Sequence, residues 1–236
     1  MKVRRWLFLG QYTGLASGLW LVAVAGCVQG PSEAESPLAA TALGQVDTAT
    51  IDACMVCHST REMQRGPVLD GFPEWYLADQ LKKFKAGHRG KNKANRAEAL
   101  MGTAMAKVGT DEQLAALARH FAGRKPKASI RVVRGDIPVG RVHYATRCAS
   151  CHGAGGGGMP EIQSPPVNVQ EDWFLLDQLR KYANGQRTVH PSDAGGVLMK
   201  AAAAALSPDD LRSVVAYIAK DLTVTPPLQK VGPPKK

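Results

Sequence analysis

At 236 residues the chain has room for one large domain or two small ones joined by linkers. Five phenylalanines, five tyrosines and four tryptophans beside 24 glycines and 15 prolines are thin filling for two independent cores, which leaves space for a large apolar group inside each. Thirty basic against twenty acidic residues give a formal charge of +10, a pointer to an acidic partner surface, anionic lipid or nucleic acid. Nucleic acid is set aside, because no recognition motif or interleaved basic and aromatic pattern accompanies the charge.

Lys2, Arg4 and Arg5 precede an apolar run from Trp6 to Gly26, and residues 1–26 read as a targeting segment. The run ends in Val24-Ala25-Gly26-Cys27, which resembles a bacterial lipoprotein box, where the cysteine is lipidated and opens the mature chain. The alternative is an uncleaved helix, since roughly 21 residues can span a bilayer. Gly10-Gln11-Tyr12-Thr13 interrupts that run, and Cys27 stands where the box requires it. Either way the body of the protein is expected to be exported in a bacterium and held at a membrane. Residues 27–46 read as a tether.

A first unit over 47–123 and a second over 135–222 follow, joined by a basic linker at 124–134 and trailed by a Pro-rich tail at 223–236. Shifted by 98 residues, their middles superpose without a gap: Pro67 on Pro165, Trp75 on Trp173, Asp79-Gln80-Leu81 on Asp177-Gln178-Leu179, Lys83 on Lys181, Gly87 on Gly185, Arg89 on Arg187 and Met101 on Met199. Leu77, Leu81 and Phe84, like Leu175, Leu179 and Tyr182, fall on one helical face. Gly87 and Gly185 are expected to end those helices. Thr110-x-x-Gln113 and Ser207-Pro208-Asp209-Asp210 carry capping-box patterns for the last helices, and Asp136 is an expected N-cap. No alternating run suggests a sheet, so the fold class is all-α: two tandem small helical bundles.

Each unit carries one C-x-x-C-H: Cys54-Met55-Val56-Cys57-His58 and Cys148-Ala149-Ser150-Cys151-His152. This is the attachment signature of haem c. Two thiols one helical turn apart can each add across a vinyl group of one porphyrin, leaving the next side chain, an imidazole, beneath the iron. Zinc would need further ligands nearby, and the two motifs stand 94 residues apart with nothing that closes a finger-like loop. A redox C-x-x-C is usually read beside a βαβ pattern, which is absent here. Two haem c groups are therefore expected, with Cys54, Cys57, Cys148 and Cys151 as thioether anchors and His58 and His152 as proximal ligands. The offset of 94 makes the loop after His152 four residues longer, and Gly155 to Gly158 supply that extra, flexible stretch.

Met101 and Met199 occupy equivalent places and are the expected sixth ligands, thioether sulfur being a soft donor. Met105 is the rival for the first haem and His190 for the second; core filler is the plain alternative for any methionine.

These motifs, the Trp-x-Leu-x-Asp-Gln-Leu helix starts and the methionine followed by Leu206-Ser207-Pro208-Asp209-Asp210 resemble class I cytochromes c, and more closely the diheme c4-type cytochromes, over about 50 to 221. The resemblance implies two all-α haem domains passing one electron at a time between respiratory complexes. It implies that Pro67 and Pro165 present backbone carbonyls to the far nitrogens of His58 and His152, fixing the tautomer. It also implies a glycine and an aromatic on each first helix packed against the last helix. Gly140 and Tyr144 fit, facing Val214 and Tyr217; the stretch from Gly44 to Ile51 has no matching aromatic, so a looser first unit is expected. Arg89 and Arg187 are candidates to pair with haem propionates, and Trp75 and Trp173 to donate indole N–H there; solvated arginine and ordinary core tryptophan are the alternatives.

Lys82, Lys83, Lys85, Arg89, Lys91, Lys93 and Arg96 put seven cations into 15 residues of the first unit, against Arg180, Lys181 and Arg187 in the second. The run lies where the family docks partners, so the acidic surface of a redox protein or terminal oxidase is the expected partner. With no surplus catalytic cluster, neither enzyme activity nor a small-molecule substrate is expected. A membrane-tethered diheme electron carrier is the favoured reading. A fixed electron-transfer subunit of a dehydrogenase or oxidase, and a haem enzyme with one open iron site, are the alternatives.

Overall fold

The computed structural model describes residues 46–59, 66–126, 131–187 and 190–224. The targeting segment with Cys27, nearly all of the tether, the middle of the linker and the tail from 225 lie outside the described residues. No strand occurs among the described residues, only one isolated bridge between Met159 and Ser164. No described helix is long and apolar enough to cross a membrane.

Among the described residues the first repeat has four helices: α1 (Thr48–His58), α2 (Glu74–Lys85), α3 (Arg96–Met105) and α4 (Asp111–Ala122). Asp47 caps α1 by accepting from Thr50 N at 2.8 Å, and Thr110 and Gln113 close a reciprocal capping box on α4. Gly87 ends the turn after α2 at φ +71°, a conformation costly for any side chain with a Cβ. α2 packs on α4, and Phe72, Leu77, Leu117, Ala118 and Phe121 form their core. α1 forms although its aromatic is missing, yet none of its side chains is fully buried.

In the second repeat, α5 (Ile137–His143), a π-helical turn over Tyr144–Cys148 and α6 (Ala149–His152) make one continuous run, capped by Asp136, which accepts from Val139 N at 3.0 Å. α7 (Asp172–Ala183), α8 (Ala194–Ala204) and α9 (Pro208–Tyr217) follow, with Ser207 and Asp210 closing a second capping box. α9 crosses α5 at Gly140, where an added Cβ would overlap the Ser213 carbonyl. The close neighbours of Gly140 are Ser213 and Tyr217, while Val214 joins Tyr144 in the core beneath. The Tyr144 and Tyr217 rings lie 5.6 Å apart, and Tyr144 OH donates to Gly153 O at 2.7 Å, closing the chain just after His152.

The glycine-rich loop is less free than its composition suggests. Gly158 N donates to His152 O at 2.9 Å, and Gly156 O accepts from Val167 N at 2.8 Å. Gly158, at φ +79°, lies so close to the backbone of Ser164 and Pro165 that a Cβ would meet them at 2.6–2.7 Å. The glycines let the inserted stretch fold back against the segment that meets His152.

Both ends of the linker are fastened: Arg124 Nε donates to Asp70 Oδ1 at 2.9 Å, and Val132 and Val133 N donate to the buried Asp172 at 2.7 and 2.8 Å. The repeats also touch directly. Val68 N donates to Glu171 Oε2 at 2.9 Å, Lys83 pairs with Asp193 at 3.0 Å, and the rings of His88 and His190 stack at 4.0 Å.

Candidate haem sites

His58 ends α1 and His152 ends α6, so in both repeats the imidazole closes the helical turn that carries the thiols. His58 Nδ1 lies 2.7 Å from Pro67 O, and His152 Nδ1 lies 2.8 Å from Pro165 O. A carbonyl can only accept, so each Nδ1 carries the proton and each Nε2 keeps the lone pair a metal needs. Burial holds both imidazoles below the usual histidine range, the carbonyl bonds opposing it, which favours the neutral, ligating form.

The residue before each proline differs. A Cβ on Gly66 would lie 2.6 Å from His58 Cε1, whereas Ser164 fits a side chain there, its buried Oγ 3.2 Å from His152 Nδ1. The sequence prepares this difference, but only the loop geometry shows that it touches the imidazoles.

None of the four motif cysteines is spent in a disulfide, so both pairs are available as thioether anchors. Burial raises the Cys54 thiol and pushes Cys148 up to about 11. Met101 on α3 and Met199 on α8 are both half-buried. Beside them Leu100 and Leu198, themselves repeat partners, are 51% and 66% exposed, apolar surface of the kind a porphyrin face covers. Met105, the rival for the first haem, is 3% exposed and packs with Phe84 and Leu114, a cluster that Met101 also touches; His190, the rival for the second, stacks on His88 and lies 2.6 Å from Ser192 Oγ.

Arg89 and Arg187 are buried where the repeats meet, not solvated. Arg89 bonds Gln80 and Glu98 and lies over the Phe84 ring at 4.4 Å; Arg187 donates to Gln178 at 2.7 Å and to Gln80 at 3.3 Å, and lies over Tyr182 at 4.3 Å. Gln80 thus joins both arginines, a role its place in the helix did not reveal. Glu98 is bonded to Arg89 and has glycine as its repeat counterpart, so two buried guanidinium groups stand beside one bonded buried carboxylate. That imbalance favours further acid groups. Trp75 Nε1 and Arg89 Nε, both buried with no hydrogen-bond partner among the described residues, are donors suited to haem propionates. Trp173 is half-buried, edge-on to Phe174 at 5.6 Å.

The cationic stretch divides. Lys83 is half-buried and pairs with Asp79 and with Asp193 of the second repeat, whereas Lys85 pairs with Asp111 and Gly109 O at the exposed surface. Lys82, Lys85, Lys91 and Lys93 are exposed.

Two helical repeats, each with a thiol pair and a tautomer-fixed histidine at the end of a helix, define a protein built to hold two c-type haems. The cytochrome c pattern matches residues 47–122 and 139–220, and the chain belongs to the cytochrome c family. It is 28% identical to cytochrome c4 of Azotobacter vinelandii over 75% of this chain and 87% of that one. It is 29% identical to a thiosulfate dehydrogenase electron acceptor of Thiomonas intermedia over 59% of this chain and 66% of that one. The fold is also that of Acidithiobacillus ferrooxidans cytochrome c4, with a TM-score of 0.58 at 24% identity over 71% of this chain and 97% of that chain. Part of a thiosulfate dehydrogenase from Marichromatium purpuratum aligns at a TM-score of 0.56 and 28% identity, over 71% of this chain and 36% of that one. The two thiol pairs carry two covalently bound haem c groups, in keeping with a diheme c4-type cytochrome.

Proposed function

We propose that the protein is a one-electron carrier whose two irons are each held between a histidine and a methionine: His58 with Met101, His152 with Met199. Haem c supplies a one-electron iron couple; the polypeptide has to bind it, orient it and set its potential. His58 and His152 present Nε2 because Pro67 and Pro165 hold the other nitrogen. Trp75 and the arginine pair serve the propionates, Trp173 being the counterpart on the second repeat. The observation that carries this reading is repetition: each site has the thiol pair, the carbonyl-fixed histidine and a half-buried methionine in the same order. With a histidine and a methionine holding each iron, neither would offer a position to a substrate. The test is spectroscopic. Methionine-to-iron absorption in the near infrared for two haems is expected, without cyanide or peroxide binding at rest; strong binding by the resting protein, or no such band, rejects the reading.

We further propose an exported protein, anchored in a bacterial membrane through a lipidated Cys27 and facing the periplasm, which delivers electrons to the acidic surface of a redox protein or terminal oxidase. The lipoprotein-like box and the exposed lysines without an ion pair among the described residues, Lys82, Lys91 and Lys93, support this. A second reading, a dedicated electron acceptor of a dehydrogenase, is favoured by the Thiomonas relative and the Marichromatium likeness. Co-purification with a dehydrogenase after mild detergent extraction selects the second; release as a lone diheme protein selects the first.

A further inference from the structure

We propose that Lys83 of the first repeat positions the methionine-bearing helix of the second, so that the sixth ligand of one haem is steadied by a side chain from the other haem's domain. The proposal rests on Met199 being that ligand.

α8 is capped by Asp193, whose Oδ1 accepts from Gly196 N at 3.0 Å in the first turn. The same oxygen receives Lys83 Nζ at 3.0 Å. The two side chains are only 19% and 13% exposed, so water screens the pair weakly. Met199 follows on the same helix, one turn beyond the capped one.

The segment leading into α8 is held from the first repeat as well. Gln186 O accepts from Asn92 Nδ2 at 2.9 Å, and His190 stacks on His88. Asp193 N in turn donates to His190 O at 2.8 Å.

No reciprocal ion pair occurs among the described residues. The counterpart of Asp193 is Asn95, an uncharged cap on the helix of Met101, accepting from Glu98 N at a long 3.5 Å. Lys83 and its counterpart Lys181 both turn back to the aspartate of their own helix, Asp79 and Asp177, at 2.7 Å, but only Lys83 adds a second carboxylate from the other repeat among the described residues. The dependence therefore runs one way, from the first repeat to the second haem. Lys83 acts through Asp193 and is a positioning residue.

The test uses the haem-loaded protein and the variants K83M, K83R, D193N and K83M/D193N, with M199L to assign the second haem's share of the near-infrared band. D193N keeps a capping oxygen and removes only the charge. Imidazole is titrated as a competing ligand, and both potentials are measured. K83M and D193N are expected to let imidazole displace the second haem's methionine at several-fold lower concentration and to lower that haem's potential. The double variant should add little, K83R should restore both readouts, and the first haem should not change. Equal effects on both haems, additive single effects, or no change overturns the proposal while leaving the ligand assignment intact. An undiminished two-haem band in M199L removes the ligand assignment and this proposal together.

Discussion

Each proximal histidine is set by a single backbone atom. A carbonyl from a proline cannot be traded for a donor, so the bonds from His58 and His152 at 2.7 and 2.8 Å fix which nitrogen remains for iron. The neighbour before the proline is where the sites part. In G66A the new Cβ would lie 2.6 Å from His58 Cε1, and the imidazole must turn or the loop must move. We expect G66A to cost about 1–3 kcal/mol, as overpacking does, and to shift the potential of the first haem alone. S164A, at a site already shaped for a side chain, should cost only about 0.5–1.5 kcal/mol, the net worth of one hydrogen bond. Urea unfolding and a redox titration of both variants check this. The cysteines, histidines and prolines were legible because their chemistry is tied to spacing. The contact at Gly66 was not, since it depends on how a loop returns to a helix end.

Among the elements, the crossing of α5 and α9 separates the repeats. Gly140 lets α9 approach until a Cβ would overlap the Ser213 carbonyl, and Tyr144 and Tyr217 fill the space beside it. We expect G140V to force the helices apart and destabilise the second repeat by about 1–3 kcal/mol or more, leaving the first repeat's unfolding midpoint in place. The first repeat has no such lock, since α1 fully buries no side chain. Amides of α1 should therefore exchange with deuterium faster than those of α5 in the same experiment; equal protection would contradict this. Helix positions, caps and the weaker α1 were readable from periodicity, capping pairs and the missing aromatic. The π-helical turn before Cys148 was not, because a one-residue widening of a helix leaves no periodic mark.

For the whole molecule, the repeat announced two domains but not their contact. The bonds that join them involve residues with unlike counterparts, such as Asp193 opposite Asn95 and Glu171 opposite Pro73, so repetition alone hides them. Lys83, read from sequence as part of a docking run, is drawn inward for this reason. Burial pushes its ammonium down, but Asp79 and Asp193 outweigh burial and leave it above the usual lysine range. Burial likewise pushes the Asp193 carboxyl up, yet Gly196 N–H and Lys83 hold it below the usual carboxylate range. A raised lysine contributes stability that is lost as pH rises through its raised value, and a depressed carboxylate contributes stability lost as pH falls through its depressed one. The stability difference between wild type and K83M, followed by urea unfolding against pH, should hold steady between those ranges and vanish beyond either. The proposed docking surface keeps the exposed lysines that have no ion pair among the described residues. Reversing Lys82, Lys91 and Lys93 to glutamate should slow electron exchange with an acidic partner at low salt and flatten its salt dependence; unchanged rates would remove that surface from the account.

The most direct measurement on the central claim is a reductive titration of the haem-loaded protein, followed together in the visible haem bands and the near-infrared methionine band. Two one-electron steps, each removing one haem's share of the methionine band and neither altered by cyanide, is the predicted result. A haem that lacks the band and takes up cyanide at rest would contradict a carrier with both irons closed.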